Sequence, residues 1–530
     1  MRRACILACL LALVALGTSS CGSDDASPLH IVLSHGANSR PYLPWPRDVA
    51  KQVAGDLEDV GFTVEIRPEP WSAYIPTVTN GRHQIALLGW SPDMPDTDNY
   101  LVPLLHSDSA EVGSANNISF YRNPEFDALL NEARRPHTRA ERAALYEKGL
   151  RMVFRDVPMV PLVYVDRRIA FRKGFSPLQT EWVTHPLLRR ITEAPGDSLV
   201  FLRGADSNKL DPGDVTDGES SKVIEQVFDR LVRYVAGTQD VEPALATSWT
   251  KNEDHTVWTF QVREGVTFHD GTALDAAAVV TTFERMRDEQ HPYHFDDGKW
   301  DNWKGNFQRL INKVEVGSHP MEVVFRCNHP TPGFFLHMLA MFGCSIISPA
   351  ALEKHGKDIR INPVGTGPFK FVKWDSGSEI HLTRNEDYWD GAPMLKDVYF
   401  RIAPDATVRA DRLMANTGGG ADLIDNLGPD TIPQLEQSDS VVVSKLPQSS
   451  FCYLAMNCTK PPFDNPKVRE AVAYALNKAN LIKLAYRGYA KPALVPTLPS
   501  FVGFPKDLQD RPHDPEKAKA LLREAGYDVK

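Results

Sequence analysis

Two periodicities divide the first hundred residues. Residues 29–34 are a short, β-rich apolar run, predicting a buried strand. Val49, Val53, Leu57 and Val60 then recur at helical spacing, and Gly61 supplies that helix's stop. Phe62, Val64 and Ile66 alternate with polar neighbours, predicting a second strand. A short helix over 72–79 and a strand over 84–89 follow, giving α/β order. Further on, 125–134 is helical, and Thr138 with Glu141 forms a capping box for a helix reaching 154. Residues 157–165 have strand character broken by Pro158 and Pro161, which predicts an edge strand. The stretch 192–197 contains Pro195-Gly196 and reads as a join. A strand over 198–203, hairpins over 247–262 and 313–326, a helix over 275–287 and an apolar helix over 333–341 come next. The last pattern is a helix with Asp514 as cap, Pro515 at its first position and Gly526 as its stop. No strand follows that helix, and no helix precedes the strand at 29. The two ends complete each other if they are neighbours in space.

Length changes this picture first. A chain of 530 residues exceeds one core, so two or three domains are expected. Charged residues are 24% and the net charge is −9, which excludes a basic nucleic-acid surface. Residues 1–21 form a targeting segment: Arg2 and Arg3, then an apolar run too short to span a bilayer, then small residues ending at Cys21. That ending resembles a lipoprotein box with Cys21 acylated, although Thr18 departs from it and ordinary signal cleavage is the alternative. Residues 22–28 read as a tether. Either route takes the chain to an oxidising space. Cys327, Cys344, Cys452 and Cys458 lie beyond. Their spacing fits no zinc site; Cys327 with Cys344 can form a bridge, or all four can be buried thiols.

Candidate chemistry is sparse. GxSxG is absent, Gly365-Thr366-Gly367-Pro368 lacks the ending of a phosphate loop, and Gly418 to Gly420 is a turn. His291 and His294 suit a solvated loop better than a metal site. What stands out is charge placed on a rigid αβ unit. Arg40 lies in a loop over 36–46 that holds three prolines, so its guanidinium fork is kept still for a carboxylate. Asp93 follows Gly89-Trp90 at a strand end and suits an ammonium. A cation and an anion so placed match a small zwitterion, although a solvated Arg and a turn-capping Asp are the plainer readings. Tyr42, Trp71 and Trp90 serve either as apolar walls or as core.

Several motifs agree on a resemblance. REGVTFHDG (263–271), NPVGTGPFKF (362–371), YLAMN (453–457), KVREAVAYALNK and DPEKAKALLREAGY resemble the peptide-type solute-binding proteins of ABC importers, family 5, and dipeptide binders above all. GFTVEIRPEPWSAY, LLGWSPD and YRNPEFDALL resemble the same family's later half, yet here they come first. The resemblance therefore implies a circularly permuted chain, with 29–192 preceding 197–530. It implies a two-lobed α/β periplasmic-binding-protein fold of type II with an extra subdomain. One lobe would comprise 29–165 and 452–530. The other would comprise 166–228 and 362–451, with 229–361 as its subdomain. It also implies binding without catalysis, no cofactor and no metal. The ligand would be a short peptide held by Arg40 at its carboxylate and Asp93 at its ammonium. Tyr42, Trp71, Gly89 and Trp90 would surround it, and Thr216 and Gly218 would close from the other lobe. Haem, a nickel chelate, glutathione or a sensing role are the alternatives. The implied partners are a permease with its ATPase and, through Cys21, a membrane. A monomer is expected over a half-swapped dimer.

Overall fold

The computed structural model describes residues 29–180, 185–415, 420–446 and 450–530. The targeting segment, the tether, Cys21 and part of the 418–420 turn lie outside the described residues.

The predicted opening is present: strand β1 (Leu29–Gly36), helix α1 (Pro46–Glu58), strand β2 (Phe62–Glu69), helix α2 (Trp71–Thr79) and strand β3 (Ile85–Trp90). β2, β1 and β3 are adjacent and parallel. They form half of a six-stranded sheet, ordered Ala490–Pro492, β4 (Met159–Val165), Phe451–Met456, β3, β1, β2. Phe451–Met456 runs antiparallel to β3 and β4 and carries the sheet's centre. One face of this sheet packs on α1 and on the helix Pro466–Ala475. Ile31, Leu33, Val53, Leu57, Leu454, Val468 and Leu522 share that core. The first lobe is thus assembled from both ends of the chain.

Those ends meet. Gly61 has φ +104°, and a Cβ there would stand 2.7 Å from Val529 Cγ1. The next residue, Phe62, is the register partner of Leu29. Any side chain at 61 would therefore displace the C-terminal segment.

The second lobe is a seven-stranded sheet ordered Phe369–Asp375, Glu379–Arg384, Asp397–Ile402, β6 (Ser198–Arg203), Leu423–Ile424, β5 (Arg168–Arg172), Val441–Lys445. A four-stranded antiparallel sheet over 246–327 stands beside it. The chain passes between the two large sheets from β4 to β5 and from Val441–Lys445 to Phe451–Met456. The backbone N–H of Leu446 donates to the Arg167 carbonyl (2.9 Å), tying the crossings together.

Three expectations need correction. β4 is not an edge strand: Ala490–Pro492 pairs along its outer side. Pro161 is accommodated by a register shift opposite Cys452 and Tyr453, so the missing N–H falls at an irregularity. The apolar helix near 333–341 is shorter, Phe335–Leu339. All four described cysteines are free, so Cys327 and Cys344 are not bridged. Cys458 lies just past the strand that holds Cys452. Among the described residues no helix is long and apolar enough to cross a membrane.

Candidate functional site

β1, β2 and β3 are parallel neighbours, so their carboxyl ends share one edge of the sheet. Phe451, the first residue of the antiparallel central strand, pairs with Trp90, the last of β3. The crossings to the other lobe leave from that same edge. In the second lobe, Arg203 at the end of β6 is level with Ile402, and Ile424 with Leu202 and Ala170. The carboxyl ends of its parallel strands therefore also lie at the crossing edge. Ligands of open α/β sheets bind outside carboxyl ends, where backbone groups and loops are free of the ladder. Both lobes turn that edge to the cleft.

Arg40 follows β1, Trp71 follows β2 and Asp93 follows β3. Arg40 is half-buried, and its guanidinium carbon sits 3.7 Å from the centre of the Trp71 ring. Stacking orients a planar guanidinium while leaving its N–H edge available. Paired backbone hydrogen bonds between Arg40 and Leu43 (3.0 and 2.9 Å) close the proline-bounded loop beneath it. The buried Arg40 Nε has no hydrogen-bond partner, and burial lowers the side chain's pKa. Trp71 is accordingly a platform for a cation. Tyr42 packs its ring where Gly89 has no side chain; a Cβ at 89 would stand 2.2 Å from that ring and 2.6 Å from the Phe451 carbonyl oxygen. Tyr486 donates to the Tyr42 carbonyl oxygen at 3.0 Å, fixing the loop from below.

The segment after β3 holds three acids with different fates. Asp96 pairs with Arg142 at 2.6 Å and Asp98 with Arg134 at 2.7 Å. Asp93 has no cationic partner among the described residues, and burial pushes its carboxyl up to about 6. Asn99 shapes this turn. Its side-chain oxygen accepts from the Asp93 N–H (2.8 Å), and its carbonyl accepts from Trp90 Nε1 (2.8 Å). Trp90 thereby braces the Asp93 turn.

On the facing lobe, Thr216 and Gly218 are exposed at the start of the helix Gly218–Val227, beyond β6. Asp217 caps that helix by accepting from the Ser220 N–H (2.9 Å). Behind the loop lies a buried ionic group that sequence reading missed. Lys222 Nζ is 2.8 Å from Glu219 and 2.5 Å from Asp425, and Arg203 Nη1 donates to the Glu219 carbonyl oxygen (2.6 Å). Arg167, in the first crossing, is pushed down to about 10 by burial, with Asp425 and Glu219 opposing that shift. The acidic run at Asp217-Gly218-Glu219 was visible in the sequence, but nothing in it announced the partners brought from 167, 203 and 425. No group of three or more His, Cys, Asp or Glu side chains suited to a metal occurs among the described residues.

The model of the bacterial extracellular solute-binding proteins, family 5 Middle, matches residues 37–111 and 240–530. The chain belongs to this family. This family is one of solute-binding proteins rather than enzymes, and it is named for the extracellular side of bacterial cells. It is 37% identical to the haem-binding protein A of Haemophilus influenzae over 57% of each chain. It is 35% identical to the dipeptide-binding protein of Escherichia coli K12, over 57% of this chain and 58% of that one. Among solved structures it is similar to the ABC transporter-associated periplasmic binding protein DppA of Helicobacter pylori in complex with the peptide STSA. That likeness has a TM-score of 0.55 at 32% identity, covering 62% of this chain and 66% of the other. The chain thus spans less than two thirds of the length of each of these relatives. The family likeness supports the two-lobed fold.

Proposed function

We propose that this chain captures short peptides, dipeptides foremost, between its lobes and delivers them to the permease of an ABC importer. One observation carries the reading: two desolvated charges of opposite sign, Arg40 and Asp93, stand without ion-pair partners on the cleft edge of one rigid sheet. The two other acids of that segment, Asp96 and Asp98, each have a cation, and Asp93 has none among the described residues. A dipeptide's termini lie roughly 6–7 Å apart, two extended residues. Clamping both termini selects a length without reading side chains. Thr216 and Gly218 supply the closing side, and closure removes water that would otherwise weaken both contacts.

The same reading places the protein at the cell envelope, anchored through Cys21, as a monomer. It takes the lobes as 29–165 with 452–530, and 166–228 with 362–451, the subdomain being 229–361. It also takes the segment order as a circular permutation of the family's. The seat of Val529 against Gly61 supports that, since it brings the last helix to the first strands.

Calorimetry with Ala-Ala tests the function. Blocking either end, by N-acetylation or C-amidation, should remove most of the affinity. Arg40→Ala should cost about 2–5 kcal/mol, because the peptide carboxylate is left buried without its partner. Equal binding of free and blocked peptides would refute the two-ended clamp. Tight binding of haem or glutathione that ignores Arg40→Ala would replace peptide as the ligand class.

A further inference from the structure

The four residues that follow the helix Lys478–Ala485 stand where three parts of the molecule meet. The Gly488 N–H donates to the Ile482 carbonyl oxygen (3.0 Å) and the Tyr489 N–H to that of Tyr486 (2.8 Å), so the turn closes on the helix it leaves. Tyr486, Arg487 and Tyr489 each reach a different neighbour. Tyr486, 1% exposed, donates from its hydroxyl to the Tyr42 carbonyl oxygen. Arg487 places its guanidinium carbon 5.4 Å from the centre of the Trp45 ring and its Nε 3.3 Å from Asp430 of the second lobe, while Nη1 donates to the Leu484 carbonyl oxygen. The Tyr489 carbonyl oxygen accepts from the Asp166 N–H (3.3 Å), and the Arg168 guanidinium carbon lies 4.6 Å from the centre of the Tyr489 ring, so the same turn also holds the first crossing.

Tyr42 and Trp45 belong to the loop that carries Arg40, and they flank Leu43, whose backbone is paired with that of Arg40. One turn therefore seats that loop at two points. The first seat is fixed: Tyr486 and Tyr42 belong to the same lobe, and their hydrogen bond is kept when the cleft opens. The second is conditional, because Asp430 belongs to the other lobe and leaves with it. The Arg487 side chain is 46% exposed, and an exposed arginine gives up rotamer freedom to stay over one ring. Asp430 offsets part of that cost, and only in the closed arrangement.

We propose that Arg487 is a positioning residue for Arg40: it makes the order of the carboxylate-binding loop and the closure of the lobes depend on each other. With the lobes closed, Asp430 holds the Arg487 guanidinium over Trp45, and the loop stays set under Arg40. With the lobes apart, Arg487 loses its anion and the loop loses its second seat. A ligand carboxylate on Arg40 orders the loop, and by linkage it favours closure by the same free energy with which closure favours the carboxylate. A ligand held by Asp93 alone gains nothing from this coupling.

The coupling rests on Arg40 being the carboxylate clasp, and the test keeps the two claims apart. Calorimetry on the full chain uses Ala-Ala, with wild type, Arg487→Ala, Arg40→Ala and the double variant. Arg487→Ala should weaken binding roughly tenfold, the worth of an exposed ion pair together with a cation–π contact. In the Arg40→Ala background only the bias toward closure is lost, and the cost of the same change should shrink to about two- to threefold. Asp430→Ala removes the anion without altering the turn, and it too should cost more with Arg40 present than without. Both positions lie at the surface, so folded variants are expected. A side chain that merely props the lobes together would cost the same in both backgrounds, and that result would overturn the coupling. So would an unchanged affinity in Arg487→Ala. Failure of the wild type to bind Ala-Ala would instead refute the peptide reading, and the coupling with it.

Discussion

Asp93 is costly to the empty protein. Its carboxyl is pushed up to about 6 by burial, while the same group in an unfolded chain titrates near 4. The folded protein therefore binds more protons than the unfolded one between those values. Protonation of Asp93 supports the fold fully below about pH 4, and that support is lost as pH rises through about 6. At pH 7 the empty site holds an uncompensated carboxylate. Asp93→Asn should stabilise the free protein at pH 7 by about 1–3 kcal/mol, with the gain vanishing near pH 4, as urea denaturation at both pH values will read. Ligand binding runs the other way. An ammonium favours the ionised carboxylate, so peptide affinity should be flat above about pH 7 and fall by up to roughly tenfold per unit below about 6. In Asp93→Asn that slope should disappear. A variant equally sensitive to pH would place the titrating group elsewhere.

At the scale of elements, the site rests on close approaches. Gly89 lets Tyr42 lie directly on β3, and Tyr42 is two residues from Arg40. Gly89→Ala must push the loop away or tear β3 from Phe451, so it should cost about 1–3 kcal/mol and weaken peptide binding together, measured by melting and calorimetry. In the other lobe, Asp211 and Arg285 form a fully buried pair (2.9 Å) that ties the loop after β6 to the helix Ala276–Arg287. Asp211→Ala leaves that guanidinium buried without its anion and should cost about 3–5 kcal/mol of stability. Neither contact was legible in the sequence. The elements were, because period and caps are local: Val49 to Val60 and Phe62 to Ile66 state their own structure. So was the pairing of Arg40 with Asp93 as a candidate, because each follows a predicted strand. The seat of Tyr42 on Gly89, the Trp71 platform and the true neighbours of β4 depend on which strands meet. Ala490–Pro492 covers β4 from more than three hundred residues away, and no local pattern encodes that partner.

The whole molecule is held with its cleft rims touching. Arg309 of the small sheet's region reaches Asp108 of the first lobe (3.5 Å), and Arg487 of the first lobe reaches Asp430 of the second (3.3 Å). Phe334 lies over the Arg142 guanidinium, 4.6 Å from it, where Arg142 already holds Asp96. The two rim pairs are exposed, so each is worth about 0–1 kcal/mol and is screened by salt. Contacts of that size cannot lock the lobes, but they can bias a hinge made of two strand-to-strand crossings. Removing both, with Asp108→Ala and Asp430→Ala, should lower the closed fraction of the free protein a few-fold. Apparent peptide affinity falls by the same factor, since only the closing-competent fraction binds fully. Small-angle scattering should then show a larger free protein and an unchanged peptide-bound one. Added salt should do the same to the wild type and little more to the double variant. Loss of affinity with no change in the free protein's dimensions would mean that Asp108 and Asp430 act on the ligand rather than on the hinge.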